Sequence, residues 1–325
     1  MHPAFSVIFL TTLIGAGQGF FLALYTEQVY STVGLLPPQP GGYYTLGSAM
    51  ALALLVAGLV ASFFHLGHPE RAWRSAARWR TSWLSREVIV LPALMFAVAA
   101  YGLVHYLDLG LGMFGIETTV RGDLALVVGA GGVVLAFLLF LCTGMIYACI
   151  KFLQEWATWL TVVNYTLFGL SSGFLLATAY AAYRAPALTT FFGAWTMVIM
   201  TAVLVTRAAS LIRNRRLRRK STIQTAIGVR HARIVQKSQG FMGGSFNTRD
   251  FFHGAAPWLF RSVKWIFLVL VFPAPLILLF NGMIDRSATL ITAAFVVQYL
   301  GLLAERWFFF AQANHPQNLY YQAIS

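Results

Sequence analysis

Three short stretches put ionisable side chains inside or against long apolar runs, where a charge is costly and usually kept for a purpose. They are Phe63-Phe64-His65-Leu66-Gly67-His68-Pro69-Glu70-Arg71-Ala72-Trp73-Arg74, Trp83-Leu84-Ser85-Arg86-Glu87-Val88-Ile89-Val90-Leu91 and Leu303-Ala304-Glu305-Arg306-Trp307. One connection joins the first two, so His65 and Glu87 must reach the same face at similar depth. A histidine titrates near neutrality, and a positioned carboxyl group can pass a proton on. Such a pair can hydrogen-bond a polar headgroup and move protons to or from it. A quinone suits that chemistry: it has two carbonyl oxygens on a lipid-soluble body and takes up two protons with two electrons. The candidate headgroup site is His65 and Glu87, with Arg71, Arg86 and His68 beside them. The alternative is that His65 and Glu87 cap and cross-link helix ends next to the arginines. Glu305 and Arg306 read as a structural ion pair between helices.

No electron carrier accompanies this site. A b-type haem needs two histidines at one depth on facing helices, and His2, His65, His68, His105, His231, His253 and His315 supply no such pair within the apolar runs. The two cysteines, Cys142 and Cys149, cannot hold an iron–sulfur cluster or a structural zinc ion, and read as free buried thiols. The expectation is therefore no haem, cluster or metal on this chain, with any electrons arriving from a partner.

Two connections carry most of the positive charge. Arg71, Arg74, Arg78 and Arg80 alternate with Trp73, Trp79 and Trp83, a composition that anchors a protein among lipid headgroups or forms a docking rim for an acidic partner. Residues 212–262 open with Arg213-Asn214-Arg215-Arg216-Leu217-Arg218-Arg219-Lys220 and continue into Gly, Ser and Asn. A segment of that length without periodicity usually binds something. Arg74, Arg78, Arg80, Arg215, Arg216, Arg218 and Arg219 are the docking candidates; a solvated basic loop near headgroups is the plain alternative.

The elements that must position these groups follow from composition. Of 325 residues, 58% are hydrophobic and 10% charged, against about 25% charged in soluble domains. A water-soluble enzyme, a disordered chain and a coiled coil are all excluded. A bilayer core needs about 20 apolar residues per helix. Eight runs qualify, near 4–26, 44–65, 87–106, 123–148, 156–182, 189–211, 263–282 and 288–311. The expected fold is all-α: one integral membrane domain over residues 1–325, a bundle of eight transmembrane helices with 212–262 as a long basic loop. The N-terminus lacks a basic region and a small-residue cleavage site, so the first run reads as a retained helix. With eight crossings, 20 of the 23 Lys and Arg residues fall on one side. The positive-inside rule then places that side, and both termini, in the cytoplasm of a bacterial inner membrane. The same rule accounts for the net charge of +13 without nucleic acid.

At His65-Leu66-Gly67-His68-Pro69-Glu70-Arg71-Ala72 and Ser85-Arg86-Glu87 the sequence resembles the membrane anchor subunits of the dimethyl sulfoxide reductase type. The resemblance implies eight helices and no cofactor on the anchor. It further implies docking to an iron–sulfur electron-transfer subunit with four clusters and to a molybdenum catalytic subunit, and electron exchange with the quinone pool. The positions matching the family's quinol-binding histidine and acid are His65 and Glu87. In dimethyl sulfoxide reductase itself the catalytic subunit is periplasmic, whereas the charge count here puts the His65 connection in the cytoplasm. A cytoplasmic partner is similar to the membrane-bound sulfite dehydrogenases, whose anchors share the family. His2-Pro3-Ala4-Phe5-Ser6-Val7 and Asn314-His315-Pro316-Gln317-Asn318 also look like that branch.

On that resemblance the chain is expected to pass electrons from sulfite oxidation to ubiquinone or menaquinone, taking both protons from the cytoplasmic side. The alternatives are an anchor oxidising quinol for a reductase, an anchor that touches no quinone, and an eight-helix transporter.

Overall fold

The computed structural model describes residues 3–116, 122–218, 220–235 and 256–316. Arg219 and most of the Gly-, Ser- and Asn-rich part of the long connection lie outside the described residues. The helices are α1 Phe5–Thr32, α2 Gly41–Phe63, α3 Trp83–Leu107, α4 Asp123–Ala148, α5 Trp159–Arg184, α6 Thr189–Arg216, α7 Ile223–Ile227, α8 Pro257–Val271, α9 Pro273–Ile284 and α10 Ala288–Ala311. Among the described residues there is no strand. Eight spans among the described residues are long and apolar enough to cross a bilayer, so the chain is an all-α polytopic membrane protein. α8 and α9 together make the seventh span.

The differences from the sequence expectation have local causes. The first helix runs six residues past 26, because Glu27 and Gln28 are packed inside the bundle and do not mark its edge. The sixth continues to Arg216, where Arg213, Arg215 and Arg216 occupy the last turn and suit the negative end of the helix dipole. Arg215 and Arg216 are thus helical. The seventh span breaks at Phe272-Pro273, since proline donates no N–H and its ring clashes with the preceding turn. Gly301 of α10 packs on the α8 backbone at Leu270 and Val271, just before the break.

α1 and α5 are the centre of the bundle: 72% and 61% of their most apolar windows are buried, against 28–39% for the other spans. They meet through Gly15 and Gly19 on α1 and Gly169 and Gly173 on α5. A Cβ on Gly19 or Gly173 would collide with the facing backbone. This is the close approach that small residues four apart allow between membrane helices. Ser82, Thr158 and Ser287 cap α3, α5 and α10 with side-chain oxygens, which satisfies one orphan N–H at each start. The ends of α2, α4, α6 and α10 and the starts of α1, α3 and α5 gather at one end of the bundle, hereafter the basic end.

Candidate functional site

Glu87 lies one turn into α3, facing the bundle. The Thr143 hydroxyl on α4 donates to its Oε1 at 2.5 Å. Both side chains wall a cleft completed by Leu10, Thr11, Ile14, Gly15 and Gln18 of α1, Phe140 of α4 and Tyr165 of α5. The cleft's free space is about that of one water molecule. Gln18 is fixed by its amide, which donates to the Ala136 carbonyl at 2.9 Å. Thr11 donates to the Val7 carbonyl at 3.0 Å. One carboxyl, one amide, two threonine hydroxyls and a phenol therefore meet in an apolar setting, all but the amide within about two turns of the basic end.

Behind Tyr165 stands a buried charge cluster. The Arg306 guanidinium lies 3.7 Å from the centroid of the Tyr165 ring. Glu305 Oε1 is 2.7 Å from Arg207 Nη2, and Oε2 is 3.3 Å from Arg306 Nη1. All three side chains are at most 4% exposed. The Arg207 guanidinium also lies over the rings of Phe267 and Phe308, where the ring faces attract cations. Arginine stays charged in proteins, so two guanidinium groups against one carboxyl keep the cluster positive whatever the state of Glu305. The Tyr147 ring stacks on Tyr165 at 5.4 Å and 16°. A net positive charge thus sits one aromatic ring beyond the cleft wall. Glu305 and Arg306 touch, but as neighbours on α10 they do not form the expected pair between helices; the interhelical ion pair is the shorter contact to Arg207, which lies in the predicted run 189–211 and is buried in α6.

The other candidate residues fall elsewhere. His65 is exposed just past the end of α2 and does not line the Glu87 cleft. Enough of its ring is covered to push its pKa below the ordinary histidine value. His68 and Arg71 are exposed and both reach Glu70, at 3.0 and 3.6 Å. Arg86 is held by the connection itself: its Nε donates to the Trp79 carbonyl at 2.9 Å and its Nη2 to the Arg80 carbonyl at 2.8 Å. Its guanidinium also covers the Trp83 ring at 4.2 Å. Arg86 therefore positions the connection and does not enter the cleft. Arg74, Arg78 and Arg80 lie on or beside an open 3-10 segment, Pro69–Arg78, that buries nothing. Arg215, Arg216 and Arg218 are exposed at and beyond the end of α6. Of the two thiols Cys142 is buried, whereas Cys149 is exposed at the end of α4.

The sequence reading missed Arg207, Tyr165, Gln18, Thr143 and Glu27. Arg207 carries a legible signal, a single cation with apolar residues on both sides and six positions ahead of the basic run. Glu27 lies at the opposite end of the bundle, fully buried, with neither carboxyl oxygen in a well-formed hydrogen bond and the Tyr44 hydroxyl as the donor in reach. Around it Tyr44 stacks on His105 at 4.2 Å, and Tyr101 donates to Gln28 Oε1 at 2.7 Å.

Residues 1–310 match the protein family described as the DMSO reductase anchor subunit, DmsC. The chain belongs to that family. The match reaches to within one residue of the end of α10, so it takes in all eight spans. The chain is also 55% identical, over 325 residues and the full length of both proteins, to the C subunit of the sulfite dehydrogenase of Allochromatium vinosum. Family membership makes the eight-span bundle a membrane anchor subunit. The motif at His65–Ala72, which carries the resemblance in the sequence, starts just past the end of α2 and runs into the exposed 3-10 segment, and Glu87, the acid that the resemblance singles out, lines the cleft.

Proposed function

We propose that this chain anchors a molybdenum catalytic subunit and an iron–sulfur electron-transfer subunit to the bacterial inner membrane and exchanges their electrons with a quinone, ubiquinone or menaquinone, at the Glu87 cleft. The observation that carries the quinone reading is the Glu87–Thr143 pair in the wall of a polar cleft inside the spans. The donor set fits a quinone oxygen, and the free space admits an oxygen atom rather than a ring, so the ring itself belongs at the cleft mouth. When bound, the quinone supplies two-electron, two-proton chemistry. Glu87 gives or takes the proton at that oxygen, and Thr143 holds the carboxyl in place. Gln18 offers a second polar contact. Leu10, Ile14 and Phe140 keep the cleft dry, and the positive cluster behind Tyr165 favours negative charge developing on the oxygen.

Sulfite as the source of electrons rests on the full-length likeness to a sulfite dehydrogenase subunit. The one-sided basic charge supports a cytoplasmic basic end, with both termini and the catalytic partner on that side. Arg74, Arg78, Arg80, Arg215 and Arg216 form the docking rim, and His65 stands between rim and membrane as a secondary proton-exchanging group. Both protons then come from the cytoplasm.

The test is turnover of the assembled complex with sulfite, using either a quinone or a soluble artificial acceptor. Glu87→Gln removes a charge-assisted hydrogen bond worth about 1.5–3 kcal/mol, so quinone-linked turnover should fall roughly 10–100-fold with the soluble-acceptor rate unchanged. Equal rates with quinone in both proteins would take Glu87 out of the quinone chemistry. Sulfite-independent activity with another oxyanion would remove the substrate assignment alone.

A further inference from the structure

A second recess at the basic end is separate from the Glu87 cleft. It is an open groove of about 570 Å³ between the end of α4, the 149–158 connection, the start of α5 and the end of α6. Its polar wall is cationic: Lys151, Arg213, Arg218 and Lys220 line it, and among the described residues no lining residue is acidic. Arg213 is anchored there by donating to the Gln154 carbonyl at 3.0 Å, while Lys151, Arg218 and Lys220 are exposed with their charges unclaimed by any ion pair among the described residues. The floor is different in kind. Met145, Ala148 and Trp159 make it apolar, and Trp159 is 71% exposed where the first turn of α5 meets the membrane surface.

We propose that this groove binds the phosphodiester headgroup of an anionic phospholipid. The cations stand at the ends of membrane-spanning helices, the level at which lipid phosphates lie. Basic pockets between transmembrane helices recognise anionic headgroups in this way, and tryptophan belongs at the same depth. The floor decides between a lipid and an acidic loop of a partner subunit. A loop would satisfy the four cations but would leave the apolar floor and Trp159 uncovered, whereas a phospholipid covers both at once with phosphate above and acyl chain below. The groove therefore takes Arg218 out of the docking rim. This inference rests only on the membrane-spanning bundle and not on the quinone reading.

The test uses the complete chain in its complex, delipidated in mild detergent and then titrated with phosphatidylglycerol or phosphatidylcholine. Bound lipid is counted by native mass spectrometry. The comparison protein is the triple variant Lys151→Gln, Arg218→Gln, Lys220→Gln, whose sites are exposed and leave Arg213 in place. Wild type should retain phosphatidylglycerol over phosphatidylcholine, and the triple variant should lose that preference by about a hundredfold, as expected for three interfacial cations. Equal retention of the two lipids, or an unchanged preference in the variant, would overturn the proposal. Displacement of the lipid by millimolar inorganic phosphate would also overturn it, by showing a free-anion site. Loss of the iron–sulfur subunit from the variant with lipid retention intact would assign the groove to that partner instead. Quinone-linked turnover with the soluble-acceptor control is read in parallel, so a failure here does not bear on the Glu87 cleft.

Discussion

Both ends of the bundle hold carboxyl groups among the helices, and they treat them differently. At the basic end Glu305 lies between Arg207 and Arg306, and Glu87 is held by Thr143 at the edge of a cleft. At the opposite end Glu27 is enclosed by Tyr43, Tyr44 and Tyr101, and no ion pair reaches it among the described residues. Burial alone therefore says little about what an intramembrane acid does. Its neighbours decide: compensating cations and a cleft make a place where charge can change, and a nest of aromatic rings makes a tie between helices.

Arg207→Ala should separate the two ends most clearly. It leaves Glu305 with only the longer Arg306 contact, and removing one partner of a buried ion pair costs about 3–5 kcal/mol. A large drop in thermal stability in detergent, with poor recovery of assembled protein, is expected. Gly173→Ala is intermediate. The added methyl meets the Gly19 backbone, and overpacking of this kind costs about 1–3 kcal/mol, read as a lowered melting temperature. Glu27→Gln keeps the shape and strands no cation, so its cost should stay below about 1 kcal/mol. Losses as large as those of Arg207→Ala would erase the distinction between the ends. Tyr101→Phe removes the bond to Gln28, and hydrogen bonds between membrane helices average about 0.6 kcal/mol. A loss several times larger would show that the opposite-end nest is more than a tie.

The smallest effect is expected at His65. His65→Ala should reduce quinone-linked turnover less than Glu87→Gln does, because its imidazole stands outside the cleft. Partial burial lowers its pKa in the folded protein, so the unfolded chain binds that proton more tightly. Its contribution to stability is therefore full above the ordinary value of 6.5 and is lost as the pH falls through it. Wild type should accordingly lose stability relative to His65→Ala on the acid side of that value, with a constant difference between the two on the alkaline side. A relative loss confined to alkaline pH would reverse the sign.

Much of this was legible in the residues. Eight apolar runs became eight spans, and the His-Leu-Gly-x-Pro-x-Arg-Ala stretch pointed to the family. Glu87 could be singled out because an acid one turn inside an apolar run is rare. Its partners could not, since Thr143, Gln18 and Tyr165 are ordinary residues of a membrane helix until packing brings four helices together. Arg207 was obscured by the basic run after it, and Glu27 by its place where the apolar run fades. His65 is the opposite case. Nearness along one connection suggested a pair with Glu87, but the helix ends at Phe63 and the side chain is left outside.

A quinone at the Glu87 cleft can be located by photoaffinity labelling of the assembled complex with an azidoquinone, followed by peptide mapping. Label on α1 between Leu10 and Gln18, on α4 at Phe140–Thr143 and at Tyr165, reduced in Glu87→Gln, is the predicted result. Label concentrated around Tyr43, Tyr44 and His105, unaffected by Glu87→Gln, would place the quinone at the opposite end of the bundle and leave Glu87 with no part in its chemistry.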